Sequence, residues 1–149
     1  MRIFTDGATS LNGYEGSRGG WAFVILDNNG KLVEENSGHI EPATNNICEL
    51  TAIIEACKAA QKYEDQIEVF SDSAYVVNCY NNGWYIKWRA NGWINSKKEE
   101  VKNRDLWEQL IPFFEDSRYF FSKVKGHSVN YWNNYVDQKA VAAKGLNGG

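Results

Sequence analysis

The segment Trp21-Ala22-Phe23-Val24-Ile25-Leu26 constrains the fold most, because six apolar residues in a row leave no position for water. A half-exposed strand alternates apolar and polar residues, so this run reads as a strand buried on both faces. Gly19-Gly20 before it marks a flexible or closely approached backbone. Asn28-Asn29-Gly30 after it offers a turn that tolerates positive φ, and residues 31–37 return as a more polar, edge-like strand. Residues 2–5, apolar at Ile3 and Phe4, form a short strand ahead of both.

Beyond residue 40 the period changes. Leu50, Ile53, Ile54 and Cys57 recur at i, i+3, i+4 and i+7, which predicts a helix, with Thr44-Asn45-Asn46 as cap-type residues before it. Ile67–Ser71 is a fourth strand, and Ser73 is placed to cap a short helix carrying Ala74, Tyr75, Val76, Cys79 and Tyr80. Leu106, Leu110, Phe113 and Phe114 define another amphipathic helix, which Pro112 is expected to kink or divide. Residues 119–124 are a fifth strand, Trp132, Val136, Ala140 and Ala143 mark a last helix, and residues 145–149 are a flexible tail. Residues 83–102, rich in Trp, Gly and Lys, fit no period and read as an excursion from the core. This order predicts one α/β domain over residues 1–144. Its mixed five-stranded sheet has three antiparallel strands followed by two parallel ones, flanked by helices.

A chain of 149 residues is long enough to bury roughly 68–70% of its unfolded surface in one domain. Cys48, Cys57 and Cys79 are odd in number and lack Cys-x-x-Cys spacing, so buried thiols are expected rather than disulfides or zinc. The chain opens straight into a strand-like segment and holds no apolar run of membrane length, so secretion and membrane insertion are not expected. A net charge of −3 argues by itself against a polyanionic partner. Its distribution points the other way, because residues 84–104 carry a local +4 and leave −7 on the remainder. A basic patch on an acidic body is a plausible footprint for nucleic acid.

Four acids stand in four different settings. Asp6 ends the run Ile3-Phe4-Thr5-Asp6-Gly7, and Asp72 ends Ile67-Glu68-Val69-Phe70-Ser71-Asp72. Glu49 lies at the margin of the packed face of the first helix, and Asp137 lies inside the last. Taken singly each has an ordinary explanation: a turn cap, a helix cap, a solvated helix residue, a lysine partner. Ligands in mixed sheets gather outside strand carboxyl ends, where Asp6 and Asp72 are expected, so convergence is the sharper reading. Converging carboxylates repel severely unless protonated or bound to cations. Hard divalent cations prefer oxygen ligands, so an all-carboxylate pocket suggests magnesium rather than zinc.

These surroundings are similar to those of the ribonuclease H type 1 family. The matching segments are Thr5-Asp6-Gly7-Ala8, Thr44-Asn45-Asn46-Ile47-Cys48-Glu49-Leu50, Ser71-Asp72-Ser73-Ala74-Tyr75-Val76 and Lys125-Gly126-His127 followed by Asn133 and Asp137. The aromatic-basic residues 84–93, with Val101-Lys102-Asn103 and Asp105-Leu106-Trp107, also resemble that family's basic protrusion. The likeness spans residues 3 to about 143. It departs from the family's pattern in a proline-free Tyr14-Glu15-Gly16-Ser17-Arg18 stretch, in Ala74, in Pro112 and in Asn134. None of these removes a candidate metal ligand.

The resemblance implies a ribonuclease H-like fold and endonucleolytic hydrolysis of the RNA strand of an RNA–DNA hybrid, leaving 5′-phosphate and 3′-hydroxyl ends. Asp6, Glu49, Asp72 and Asp137 are then the catalytic acids and bind two Mg2+ ions, for which Mn2+ can substitute. Two such ions about 3.5–4 Å apart can activate a water and stabilise the leaving oxygen. His127, in a Gly-His-Ser loop, is implied to assist by exchanging a proton with the attacking water or the product. His39 lacks matching context and is read as structural. Gly7, Asn12, Thr44, Asn45 and Asn46 are implied to contact the minor groove, where 2′-hydroxyls distinguish RNA from DNA. Lys87, Trp88, Arg89, Trp93, Lys97, Lys98, Lys102 and Asn103 are implied to meet the DNA strand, with cations on phosphates and aromatic faces on sugars or bases. The alternative for that patch is a small aromatic cluster with solvated lysines. Asn133 shares a helix face with Asp137 and is expected to orient it or touch substrate. A cytoplasmic monomer is expected, with the hybrid duplex as partner. Three rivals remain: a hybrid-binding module without activity, a related nuclease acting on DNA, and a protein-interaction domain that uses the Trp patch.

Overall fold

The computed structural model of the chain describes residues 1–10, 17–124 and 131–145. Ten elements follow in order: β1 (Arg2–Ser10), β2 (Arg18–Leu26), β3 (Leu32–Ile40), α1 (Asn45–Ala60), β4 (Ile67–Ser71), α2 (Ala74–Asn82), α3 (Trp84–Asn91), α4 (Arg104–Phe114), β5 (Tyr119–Lys123) and α5 (Tyr131–Gly145). The strands form one sheet in the order β3-β2-β1-β4-β5. β1, β2 and β3 pair antiparallel, while β4 runs parallel to both β1 and β5. This is the predicted mixed sheet.

The apolar run of β2 explains itself in the packing. Phe23 and Ile25 enter the larger core beneath α1 and α4, whereas Ala22, Val24 and Leu26 enter a second core beneath α5. Alternate side chains of a strand point to opposite faces, so a sheet covered on both sides needs apolar residues at every position. β1 divides the same way, with Ile3 in the first core and Phe4 in the second. Each fully buried residue of this kind contributes about 1.5–3 kcal/mol relative to exposure.

The ends of the elements carry their own signals. Thr44 caps α1 by accepting from the Ile47 amide at 3.1 Å, and Ser73 caps α2 by accepting from the Val76 amide at 3.3 Å. Three expectations are corrected. β1 continues to Ser10, so Asp6 lies within it rather than at its end. Residues 84–91 are helical, bounded by Gly83 and Gly92 in the left-handed region (φ 68° and 79°). Their buried face is only Tyr85 and Trp88, with Ile86 exposed on the other side, so no clear period shows. Finally, α4 runs through Pro112 undivided, because only Phe113 and Phe114 follow it in the last turn. Among the described residues, no helix is long and apolar enough to cross a membrane.

Candidate active site

The sheet opens where the acids gather. Parallel pairing of β1 with β4 ends at Phe4 and Phe70, and the Thr5 hydroxyl caps the break by donating to the Phe70 carbonyl at 2.9 Å. Beyond that point the strand partner of β1 among the described residues is β2, where Asp6 faces Ala22. Asp6 therefore lies just past the carboxyl end of the parallel half even though its strand continues. β4 stops at Ser71, whose hydroxyl accepts from the Ser73 amide at 3.1 Å, and Asp72 occupies the corner between β4 and the capped start of α2.

Gly7 brings Glu49 to the same place. A Cβ at Gly7 would lie 2.7 Å from the Cys48 backbone carbon and 2.8 Å from the Glu49 amide, so only glycine allows the first turns of α1 to rest on β1. The Gly7 amide donates to the Asp6 carboxylate at 2.9 Å and to Glu49 Oε1 at 3.3 Å. Oxygens of Asp6, Glu49 and Asp72 lie within 4.8 Å of one another. Asp137, on α5, approaches from the opposite layer closely enough to help raise the Asp6 carboxyl. Three of the four acids that the sequence singled out thus meet, and α5 brings the fourth near Asp6.

The electrostatics are those of an overloaded anionic pocket. Asp6 is 5% exposed. Burial first, then Asp72 and the hydrogen bond with Asp137, push its carboxyl up to about 8 from an ordinary 3.8. Burial, followed by the charges of Asp72 and Asp6, holds Glu49 well above the usual carboxylate range. Glu49 Oε2 is buried and has no hydrogen-bond partner among the described residues. A buried acceptor left unsatisfied beside two more carboxylates fits a site built for cations, and the all-oxygen donor set fits magnesium or manganese.

The remaining candidates divide. Thr44 caps α1, and the Asn45 side chain meets Thr9 at 2.5 Å, tying the start of α1 to the end of β1. Asn46 is exposed, and Asn133 is half-buried on α5 one turn before Asp137. Asn12 and His127 lie outside the described residues. In the basic segment Trp88 and Trp93 are 5% and 7% exposed and lie with Trp107 in the larger core, with the exposed Tyr75 ring against Trp88. Their burial leaves them little face for a nucleotide, so they belong to the structural cluster. Arg89 is likewise taken up, in a bidentate pair with Glu115 at 2.8 and 3.2 Å. Asn103 adopts φ 62° and starts α4 with its carbonyl, which accepts from Leu106 and Trp107.

Lys87, Lys97, Lys98 and Lys102 are exposed. Lys87 and Lys97 border a cleft of about 580 Å³ that has Tyr75, Trp84, Asn91 and Ser96 in its walls. Sequence reasoning missed Tyr75 and Trp84 as accessible aromatics of this surface. The signal that could have found them is helical spacing: Trp84, Lys87 and Asn91 fall at i, i+3 and i+7 once α3 is recognised.

The family described as RNase H matches residues 1–144. A ribonuclease H of Syntrophomonas wolfei is 46% identical over 138 residues, covering 93% of this chain and 91% of its own. Among solved structures, a foamy viral protease-reverse transcriptase in complex with dsDNA aligns with a TM-score of 0.83 at 22% identity, over 96% of this chain and 92% of that one. LC11-RNase H1 in complex with RNA/DNA hybrid aligns with a TM-score of 0.71 at 23% identity, over 99% of each chain. At these identities the structural matches establish the fold alone.

Proposed function

The chain belongs to the ribonuclease H family and is a hydrolase of the nuclease type, and we propose that it cleaves the RNA strand of RNA–DNA hybrids endonucleolytically. The observation that carries the reading is the convergence of Asp6, Glu49 and Asp72 with Asp137 beside Asp6, and with Glu49 Oε2 buried and unpaired among the described residues. These side chains would hold two Mg2+ ions, with Mn2+ as a substitute. When bound, such ions lower the pKa of a water and stabilise charge on the leaving oxygen in an in-line displacement, giving 5′-phosphate and 3′-hydroxyl ends.

The chain's own groups supply the rest. The Gly7 amide holds the Asp6 and Glu49 carboxylates facing the same space. Burial of Asp6 lowers the dielectric around its carboxylate, which strengthens the charge interactions made there. His127 is assigned the proton exchange with the nucleophilic water or the product. Gly7, Asn12, Thr44, Asn45, Asn46 and Asn133 are assigned the minor-groove side of the hybrid. Lys87, Lys97, Lys98 and Lys102 would neutralise DNA-strand phosphates, while Tyr75 and Trp84 offer the accessible aromatic faces. A single-domain, monomeric, cytoplasmic enzyme is the simplest setting.

The test uses labelled RNA–DNA hybrid, duplex DNA and duplex RNA, with and without chelator, for the wild type and Asp72→Asn. Chelator-sensitive cleavage confined to the RNA of the hybrid is expected, with Asp72→Asn inactive. Equal cleavage of duplex DNA, or cleavage that persists in chelator, overturns the proposal.

A further inference from the structure

We propose that His39 is a positioning residue for the site: by bridging Ala143 and Glu41 through both ring nitrogens it seats the helix that carries Asp137, and only its doubly protonated form can do so. The inference rests on the proposed role of Asp137 but is drawn from the C-terminal end of α5.

His39 stands on β3 directly opposite Gly20 of β2. A Cβ at Gly20 would overlap the Ala140 carbonyl oxygen and lie 2.5 Å from the Lys144 amide, so α5 lies on bare β2 backbone here. The His39 ring closes over that seat, its side chain 9% exposed. Nδ1 is 3.1 Å from the Ala143 carbonyl oxygen, and Nε2 is 2.6 Å from Glu41 Oε2. A carbonyl only accepts, and a carboxylate only accepts, so both ring nitrogens must donate. An imidazole that donates twice is an imidazolium, placed at the negative end of the α5 dipole.

Among the described residues the charged group facing the ring is Glu41, which follows β3; α5 presents the backbone of Ala143 and Lys144, and β2 presents glycine. The bond to Glu41 and then the Ala143 carbonyl raise the His39 pKa above its ordinary 6.5. A histidine whose folded pKa is raised contributes in full below its unfolded value, and the contribution is lost as pH rises through the folded one. α5 has a second tether to β3, Glu35, which accepts from the Tyr135 hydroxyl at 2.8 Å and pairs with Lys139 at 2.8 Å. Glu35 therefore holds the half of α5 that includes Asp137, and His39 sets its axial position from about 9 Å further along.

The experiment measures Mg2+ affinity without nucleic acid, from the Mg2+-dependent rise in thermal midpoint, for the wild type, His39→Gln and Glu41→Gln between pH 5.5 and pH 9. Titration of the site acids affects all three alike, so the readout is the ratio of wild-type to variant affinity. That ratio is expected to be about 3–10-fold below pH 6.5, less than the ~10–100-fold cost of losing a direct outer-shell partner, and to fall to one at high pH. Nitrogen-15 shifts of the wild-type ring report its charge directly, even where a variant fails to fold. A pH-independent ratio, or a neutral His39 ring at pH 6, overturns the proposal. A pH-dependent ratio in a protein that does not cleave hybrid upholds His39 and overturns the functional reading instead.

Discussion

Asp6 and Trp88 are equally buried, each 5% exposed, yet they make opposite demands on the fold. Around Asp6 the burial is electrostatically costly: carboxylates crowd together, and Glu49 Oε2 has no partner among the described residues. Around Trp88 the burial is favourable: its ring meets Trp93, Trp107 and Tyr75 at 5.2–6.5 Å, while the lysines of the same segment stay in water. The acidic site buries Asp6 and half-buries Glu49 behind the exposed Asp72 and Asp137, and this crowding is unfavourable until a cation arrives. The basic protrusion holds its aromatics inside and presents its charges on a stable platform. Even there some strain is stored, since Trp93 sits at φ 69°, a conformation bulky residues rarely adopt.

The strongest way to break this contrast is Asp72→Asn. Hybrid cleavage is expected to fall about 10³-fold, with stability in chelator unchanged or higher because one repelling charge is gone. Single-turnover cleavage and urea unfolding check the two halves, and a variant that is both inactive and less stable would show that the site is not electrostatically strained. Beneath the protrusion the corresponding deletion is Trp107→Ala on α4, at a ring that is 0% exposed and packs on Trp88. A loss of about 3–5 kcal/mol in urea unfolding is expected, and a loss under ~1 kcal/mol would mean that the aromatic platform is not what supports this segment.

Acidity sharpens the comparison next. The Asp6 carboxyl is raised to about 8 in the folded chain from an ordinary 3.8, so between those values the folded state binds more protons than the unfolded one. Stability of the chelated protein is therefore expected to decline as pH rises from 5 to 9. Asp6→Asn should flatten that slope and saturating Mg2+ should counter it, both read by thermal unfolding. A chelated wild type more stable at pH 9 than at pH 5 would contradict the crowding. The smallest effects belong to the surface lysines. Lys97→Ala and Lys98→Ala are each expected to change stability by less than ~0.5 kcal/mol while lowering the salt dependence of hybrid binding by about one unit of slope. Unchanged salt slopes would remove these residues from the nucleic-acid surface.

Legibility in the sequence followed the strength of local patterning. β2, α1, β4 and β5 were readable because apolar periodicity or an unbroken apolar run spans each of them. The last four residues of β1, Gly7-Ala8-Thr9-Ser10, were not, because small and polar residues carry no such signal. They are strand only through backbone pairing with Arg18-Gly19-Gly20-Trp21. α3 was hidden for a related reason, its buried face reduced to two aromatics between two left-handed glycines. The four acids could be named from their neighbours in sequence. The roles of Trp88, Trp93 and Arg89 could not, because a tryptophan or arginine is equally at home in a core, an ion pair or a phosphate contact.

The sequence by itself determined the layered α/β architecture and the identity of the acids, since apolar period and local capping chemistry act over a few residues. Tertiary structure alone decided that those acids meet. It depends on the end of β1–β4 pairing at Phe4, on the close approach of α1 at Gly7 and on the seating of α5 at Gly20, each a contact between segments far apart in the chain. It also decided which aromatics of the protrusion face the core and which face solvent, because that choice is made by partners on α2 and α4.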